Sequence, residues 1–581
     1  MLLALTVVAA PAVADIGSVR IGRFTVEFSS ANLNLKSGDF TITGGLKGHS
    51  SDGDFSADRA FGNRERKQIT LVGHVVAHRH GAGFGSQPVV LTSDTAEIDE
   101  NLRRYSASGN VLAVEGARSM SAARITMDDA SHLVTLSGGV HVSQPPGNTV
   151  DTDTIVYHDD TGDIIIPGPL RGSSSDADFR ADRALGNLSR DELTLIGNVV
   201  AHTSGGGKPG EETQPLTVQA DQVRMESAVK RFSAIGHVRV TQEGKPAPGA
   251  TTTGARTLET ENVTYNTDSG DIKAPGEVRG EVDQGAFRAD SVSGNTRTQE
   301  FDLVGHVKVT RTRATAKKAS ASKPVTLTAD RLHVAQRKKL YLATGNVKLI
   351  QTDRTIGAPR MTLNDVSHVA TLTGGVHAAQ APDRVADTSQ VSYHTDSGDF
   401  VVPTEITGHS KTDTFRADRA FGNAAKNVYT LEGHVKLQRS GGFGQADSSR
   451  QATALECERF RIDAAAKIYT ATGSPKLTQG QRTLSGQIIT LDDNTHLVHV
   501  TGGAHAEQPP NRKFDAPELV YDTQTDNFKA VGGVTVTFPV QRATPTPTPT
   551  PAPKGKKGAT PASSATPAPS PTAAATSSPS R

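Results

Sequence analysis

The chain repeats itself. Phe55-Ser-Ala-Asp-Arg-Ala-Phe-Gly-Asn63, followed by Ile69-Thr-Leu-Val-Gly-His-Val75, returns at Phe179 to Asn187 with Leu193 to Val199. It returns again at Phe287 to Asn295 with Phe301 to Val307, and at Phe415 to Asn423 with Tyr429 to Val435. The successive offsets are 124, 108 and 128 residues. Self-similarity at a fixed period marks an architecture in which each unit buries its apolar face only by stacking on its neighbours.

Each long repeat divides into units of about 25 to 30 residues that read apolar strand, polar turn, apolar strand. One type runs from Pro324 to Val347 and recurs at Val89 to Val111, Leu216 to Val238 and Ala454 to Gly473. Another runs from Ala123 to Val140 and recurs at Pro359 to Val376 and Gln487 to Ala504. A third, Ile155 to Asp163, recurs at Val263 to Asp271, Val391 to Asp399 and Leu519 to Asn527. The second long repeat lacks the Ala123-type unit, hence its shorter offset. Counting an extra unit at Phe24 to Gly48, about sixteen units and so about 32 strands are expected between residues 24 and 538. The corresponding segments are a leader at 1–14, repeats at 15–172, 173–280, 281–408 and 409–540, and a tail at 541–581.

Within a unit the period is two. Tyr429, Leu431, Gly433, Val435 and Leu437 fall on one face, and Thr430, Glu432, His434, Lys436 and Gln438 on the other. That suits antiparallel strands with one buried face, and no window carries a sustained helical period with caps. Asp160-Thr-Gly-Asp163, Asp268-Ser-Gly-Asp271 and Asp396-Ser-Gly-Asp399 put Gly where a hairpin turn needs positive φ. The fold class is all-β, elongated and antiparallel, with very little helix. At about 4.8 Å between strands, 32 strands span about 75 Å if shared between two facing sheets and about 150 Å as one stack.

Several function classes drop out on composition. With 62 basic against 61 acidic residues, no Trp and 4% aromatics, the chain lacks the basic footprint and stacking platforms of a nucleic-acid binder. Cys457 is the single cysteine, so disulfide frameworks and thiolate metal clusters are excluded, and the thiol is expected to be buried or incidental. Asp58, Asp182, Asp290 and Asp418 recur more than a hundred residues apart, unlike the paired acids of a hydrolase, and read as structural, bonding turn backbone or the neighbouring Arg. His74, His237, His306 and His434 share their slot after a strand Gly with Asn110, Asn198 and Asn346. His and Asn both tolerate unusual backbone angles, so a conformational role is favoured over metal ligation. No nucleotide-binding or catalytic signature is present. We therefore expect no enzyme activity, no catalytic residues, no metal and no cofactor.

The apolar run Leu2 to Ala10 with Ala12-Val-Ala14 resembles a signal peptide and a cleavage site, which implies export. No stretch approaches the roughly 20 apolar residues of a membrane-spanning helix. From Gln541 onward the Thr-Pro repeats and Ala/Ser/Pro composition predict a disordered tail, and Arg311 to Lys323 a basic, structureless connection.

The recurring Ala-Asp-Arg, a polar turn, then Tyr/Leu-Thr-Leu-x-Gly-Asn/His-Val and a second Thr-Ala-Asp-Arg-Leu strand resemble the OstA-like family, the periplasmic lipopolysaccharide-transport proteins of the LptA and LptC type. The resemblance covers nearly all of residues 24 to 538. It implies a β-jellyroll folded like a taco, whose apolar groove carries acyl chains between the inner and outer membranes. This chain is several times longer than one such domain and ends in a Pro-rich tail. The groove would be lined by Leu71, Val75, Leu136, Val140, Leu195, Val199, Leu303, Val307, Leu372, Val376, Leu431 and Val435. The implied partners are lipopolysaccharide or another acyl lipid, and other Lpt-type envelope proteins or further copies, paired end to end through open strand edges near Phe24 to Leu35 and Val531 to Phe538. The alternative is a structural or adhesive envelope protein in which the same residues close into a dry core.

Overall fold

A computed structural model of the chain describes residues 17–79, 88–174, 177–203, 215–242, 256–282, 285–311, 325–440, 452–525 and 527–538. The leader at 1–14, the connection 312–324 and the tail from 541 lie outside them. The described residues form one 43-stranded antiparallel sheet in which each rung, whole or interrupted, pairs with the rungs before and after it. Among them the only helical element is the 3₁₀ turn Ser227–Val229.

Gln68–Arg79 shows how a rung is built. It pairs with Gly53–Asn63 on one side and Val89–Asp99 on the other, and both ladders shift register in the middle. Opposite Asp94, two residues, Gly73 and His74, face one, both at positive φ (83° and 40°). That is a β-bulge, which bends the strand and increases its twist. The bend recurs between Ile196 and Val199, Ile235 and Val238, Val304 and Val307, Thr344 and Val347, Thr373 and Val376, and Glu432 and Val435. Aligned bends fold the sheet lengthwise into a trough with two arms. The turn arm ends in tight turns such as 64–67, and the loop arm ends in the connections of variable length such as 80–88.

Ten rungs are interrupted at the bend, as where Pro167-Gly-Pro169 separates Asp163–Ile166 from Leu170–Ser173. With the half-width strand Gly17–Ile21 set apart, the 43 strands make 32 full rungs, matching the sequence count. Every rung crosses both arms instead of belonging to one of two sheets. The contour is therefore the longer of the two expected lengths, about 150 Å at about 4.8 Å per rung, and the 75 Å alternative is excluded. The ladder also runs through the repeat boundaries: Leu170–Ser173 pairs with Ala177–Ala181, Val278–Val282 with Gly285–Ala289, and Ile406–His409 with Asp413–Ala417. The long repeats are periods of one sheet.

Two recurrent motifs hold the register. Asn63 donates its Nδ2 hydrogens to Asp39 Oδ1 at 2.7 Å and to the Ser37 carbonyl at 2.8 Å, clamping one tight turn to the next. Asn187, Asn295 and Asn423 do the same to Asp163, Asp271 and Asp399 at 2.6, 2.8 and 2.7 Å. Phe55, Phe179, Phe287 and Phe415 each lie across a glycine of the adjacent rung, where an added Cβ would meet the ring at 2.1–2.3 Å.

The open edges differ from expectation at one end. Gly17–Ile21 pairs with Phe24–Phe28, so on the loop arm the outermost strand is Gly17–Ile21, and only on the turn arm does Ala31–Leu33 form the edge. At the other end Thr535–Thr537 is fully exposed and no described strand lies beyond it.

Candidate functional site

The trough has a base, a ridge and a mouth. At the base sit the residues that flank each bend on the inside. All twelve proposed lining residues lie there, from 1% exposed (Leu71, Val75, Leu136, Val140, Leu195, Val199, Leu372, Val307 and Val435) to 5% at Leu431 and 7% at Leu303. The members of each pair lie four positions apart, an even spacing that keeps both on the inward face across the bend. The base is closed in this structure. A cavity near Leu455, Phe460 and Val498 measures only about 10 Å³, at most the space of one water. Cys457 belongs to the same interior. Burial, and then the Glu458 charge, push its thiol up to about 12.

Outside the bend runs a polar ridge. His74 Nδ1 lies 2.7 Å from Asp58 Oδ2, sixteen residues earlier. The pairing returns at His237–Asp221, His306–Asp290 and His434–Asp418, each 2.7 Å, and with Asn at Asn110–Asp94, Asn198–Asp182 and Asn346–Asp330, 2.8–2.9 Å. The carboxylate rests on the preceding glycine, where a Cβ would come within 2.2–2.5 Å of its oxygen. This corrects the expected roles of Asp58, Asp182, Asp290 and Asp418: their side-chain partner is the His or Asn of the bulge, not the neighbouring Arg. The backbone-angle reading of the His/Asn slot agrees with φ values of 40° to 46°. Each of these four histidines has its pKa raised, first by the hydrogen bond to its Asp and next by that Asp's charge. Among the described residues no group of three His, Cys, Asp or Glu is placed to hold a metal.

The pairing was legible in the sequence as a correlation between two slots sixteen apart. Where the first holds Asp, the second holds His or Asn. Where the first holds Ala123, Pro359 or Gln487, the second is Gly139, Gly375 or Gly503.

Toward the mouth the C-terminal end differs from the rest of the sheet, since Leu91, Tyr105 and Met127 near the N-terminal end are half-buried like the residues of the middle. Between Glu192 and His394 the inward apolar residues farthest from the bend are only half-buried: Val240, Leu327 and Leu349 on the loop arm, and Phe232, Phe301 and Leu363 on the turn arm. Toward the C-terminal end the corresponding Leu437, Leu455, Leu477, Leu491, Val498 and Tyr521 are buried. An outward assignment also needs correction, since Thr430 is only 9% exposed despite its outward position.

Comparison with known proteins follows this geometry. A profile described as LptA/(LptD N-terminal domain) LPS transport protein matches residues 55–163 and 326–497. One described as lipopolysaccharide-assembly, LptC-related, matches residues 207–313, between them. The chain is built of OstA-like lipopolysaccharide-transport domains. Among solved structures, that of LptH, the LptA-homologous periplasmic component of the lipopolysaccharide transport device from Pseudomonas aeruginosa, aligns at 14% identity. The alignment covers 32% of this chain and 82% of that one, with a TM-score of 0.11. None of the curated proteins matches the sequence significantly. The matched OstA-like families are transport proteins rather than enzymes. The LptC-related match falls within the section whose mouth is half-exposed, and the second LptA-type match begins inside the same section.

Proposed function

We propose that this protein is a periplasmic bridge that carries lipopolysaccharide, or another acyl lipid, between the inner and outer membranes with the acyl chains held in the trough. The observation that carries this reading is the continuity of the apolar interior, with inward-facing apolar residues from Ile21 to Tyr521 along one uninterrupted ladder. Half-exposed apolar rows on both arms of the middle section add a surface that acyl chains could cover, at about 25 cal/mol per Å² removed from water. The twelve lining residues then form the floor onto which chains pack as the arms part. The open strand edge at Thr535–Thr537 suits end-to-end pairing with related envelope proteins or with another copy.

The closed base favours one competing reading, a dry structural core. Photocrosslinking separates the two. A photoreactive residue at Leu349, on the inner face of the mouth, should label lipopolysaccharide, while the same residue at its outward neighbour Lys348 should not. Equal labelling at both positions, or none at either, would favour the structural protein.

A further inference from the structure

The rim of the turn arm is a row of tight turns joined one to the next by backbone hydrogen bonds, such as Glu100 N–H to the Lys67 carbonyl at 3.2 Å and Asp365 N–H to the Lys339 carbonyl at 2.9 Å. It forms one lip of the mouth, because loop-arm residues reach it from the far side. Arg79 lies 3.7 Å from Asp129 in one of these turns, and Arg482 donates to Tyr521 Oη at 2.9 Å beside the last. Four turn types recur along the lip. One of them, with its tip at Arg103, Lys230, Lys339 or Lys467, occurs once in each long repeat.

These turns do not need a basic residue to form. The tip sits at φ 49° to 57° in all four, a left-handed conformation for which Gly, Asn, Asp and His are the ordinary choices. Two of the other turn types use such residues there: Gly162, Gly270 and Gly398 in one, His132 and His368 in another. The remaining type mixes Lys67 with Asp191, Gln299 and Asn427. In two of the basic turns the reversal is held by the acid before it, Asp99 Oδ1 accepting from the Leu102 amide and Asp463 Oδ1 from the Ala466 amide, both at 3.0 Å. A long cationic side chain therefore stands at each tip against the local conformational preference, which points to a role outside the turn.

Each basic tip has two apolar companions. The aliphatic side chain next to it is exposed: Leu102 (56%), Val229 (50%), Leu340 (38%) and Ile468 (38%). Two residues beyond the tip an aromatic ring, Tyr105, Phe232, Tyr341 or Tyr469, is half-buried on the inner face of the arm. Charge, aliphatic surface and inward aromatic follow one another from the outside of the lip into the trough. That is the order of polarity in an acyl lipid with an anionic headgroup. The neighbouring His-type turns open instead on an acid, Asp129, Asp365 or Asp493, and Val366, the exposed aliphatic in one of them, has no Lys or Arg in its turn.

We propose that these four turns are docking stations for the phosphate-bearing headgroup of an acyl lipid whose chains lie in the trough. The proposal rests on the lipid-carrying reading and adds where the headgroup sits. Successive stations stand four, three and four turn-to-turn steps of two rungs apart, or about 38, 29 and 38 Å at about 4.8 Å per rung. Each spacing exceeds the Debye length of about 10 Å in 0.1 M salt, so every station acts on its own.

Photocrosslinking in the full chain tests the third station, with the photoreactive residue replacing Gln336 in the basic turn, Ser367 in the acidic turn beside it, or Leu349 inside the mouth. The probes are dodecyl phosphate and dodecyl maltoside, which share a chain and differ in headgroup, each below its micellar concentration. Dodecyl phosphate should label position 336 about fivefold more than position 367, and dodecyl maltoside should label the two alike. Arg337→Gln with Lys339→Gln should abolish the preference, as should raising salt from about 0.1 to about 0.5 M. Lys308→Gln with Lys348→Gln, the same loss of charge on the outer face of neighbouring rungs, should leave it unchanged. Equal labelling of the two turns by dodecyl phosphate, or a preference that survives the loss of Arg337 and Lys339, would overturn the stations. Inorganic phosphate that competes as well as unlabelled dodecyl phosphate would assign the tips to free phosphate and overturn the headgroup. Binding to phosphatidylglycerol vesicles without labelling by monomeric dodecyl phosphate would assign the lip to a membrane surface, and also overturns the proposal. If the stations fail while both probes label position 349, lipid carriage stands. If position 336 is preferred but neither probe labels position 349, the basic tips stand as an anion site and lipid carriage fails.

Discussion

A histidine at positive φ on an exposed ridge is an unusual choice, and the Asp sixteen residues before it supplies a reason. The bulge needs a residue that tolerates the left-handed region and can donate to the carboxylate lying over the preceding glycine, and Asn and His both meet these demands. They differ in charge. Hydrogen bonding to Asp58, Asp221, Asp290 and Asp418 raises the folded-state pKa of His74, His237, His306 and His434 above the unfolded value near 6.5. The sign follows by linkage: protonated histidine contributes stability that is complete below the unfolded value and is lost as pH rises through the raised folded value. Asn110, Asn198 and Asn346 occupy the same geometry without a titrating group. Replacing all four histidines by Asn should therefore leave the fold intact and cost more stability at about pH 6 than at about pH 8.5. Urea unfolding at both values checks this, and an equal cost at both would show that the charge contributes nothing. The turn carboxylates Asp39, Asp163, Asp271 and Asp399 have lowered pKa values and titrate below this window.

At the level of the strand, the bend is what converts a flat meander into a trough, and its tightest requirement falls on the first bulge glycine. Gly305 sits at φ 78° with Asp290 Oδ2 at 2.2 Å from where a Cβ would stand. Gly305→Ala should destabilise by about 1–2 kcal/mol from the left-handed backbone alone, with the clash in addition. Gly357, at ordinary φ with no atom closer than 3.8 Å to an added Cβ, is the control expected to be nearly neutral. Denaturant midpoints of the two variants make the comparison. The positions of these bends were legible, because Gly-His-Val, Gly-Asn-Val or Gly-Gly-Val recurs at each of those named, and so were the turns at Gly162, Gly270 and Gly398, all at φ 78° to 80°. The inward residues were also legible, since period-two alternation survives a bulge of this kind. What could not be read was which rung of one arm faces which rung of the other. Arg482 meets Tyr521 and Arg79 meets Asp129 because twist carries the arms past each other, and twist accumulates over many rungs without leaving a local mark. The covering strand Gly17–Ile21 was illegible for another reason: it is only half a rung and carries neither the Gly bulge nor the Ala-Asp-Arg step of the repeats.

Over the whole molecule, the backbone ladder of each rung goes only to the rungs beside it, so length is set by rung number. A uniform rod of about 150 Å, from 32 rungs at about 4.8 Å, has a radius of gyration of about 43 Å, whereas a compact chain of this size would have about 25 Å. Small-angle scattering distinguishes these at once, and a value near the compact one would exclude an extended trough. The ends decide what happens at higher concentration. At the C-terminal end Thr535–Thr537 pairs on one side only and, among the described residues, leaves its other edge open, with Val534, Val536 and Phe538 at 43%, 38% and 60% exposure. A free ladder beside exposed apolar side chains is the surface to which another strand adds, and Gly17–Ile21, itself an edge, is the complementary end of a second copy. Head-to-tail addition preserves the trough across the joint and should roughly double the maximum dimension, to about 300 Å, with little change in cross-section. Thr535→Pro, by removing a ladder donor and fixing φ, should hold the protein at the monomer's length. At the other end a proline at Thr25 would break the chain's own pairing, since Thr25 lies inside the ladder between Gly17–Ile21 and Asp39–Ser50. Growth in cross-section instead of length, or no growth in the unaltered protein at any concentration, would rule out self-association through these edges.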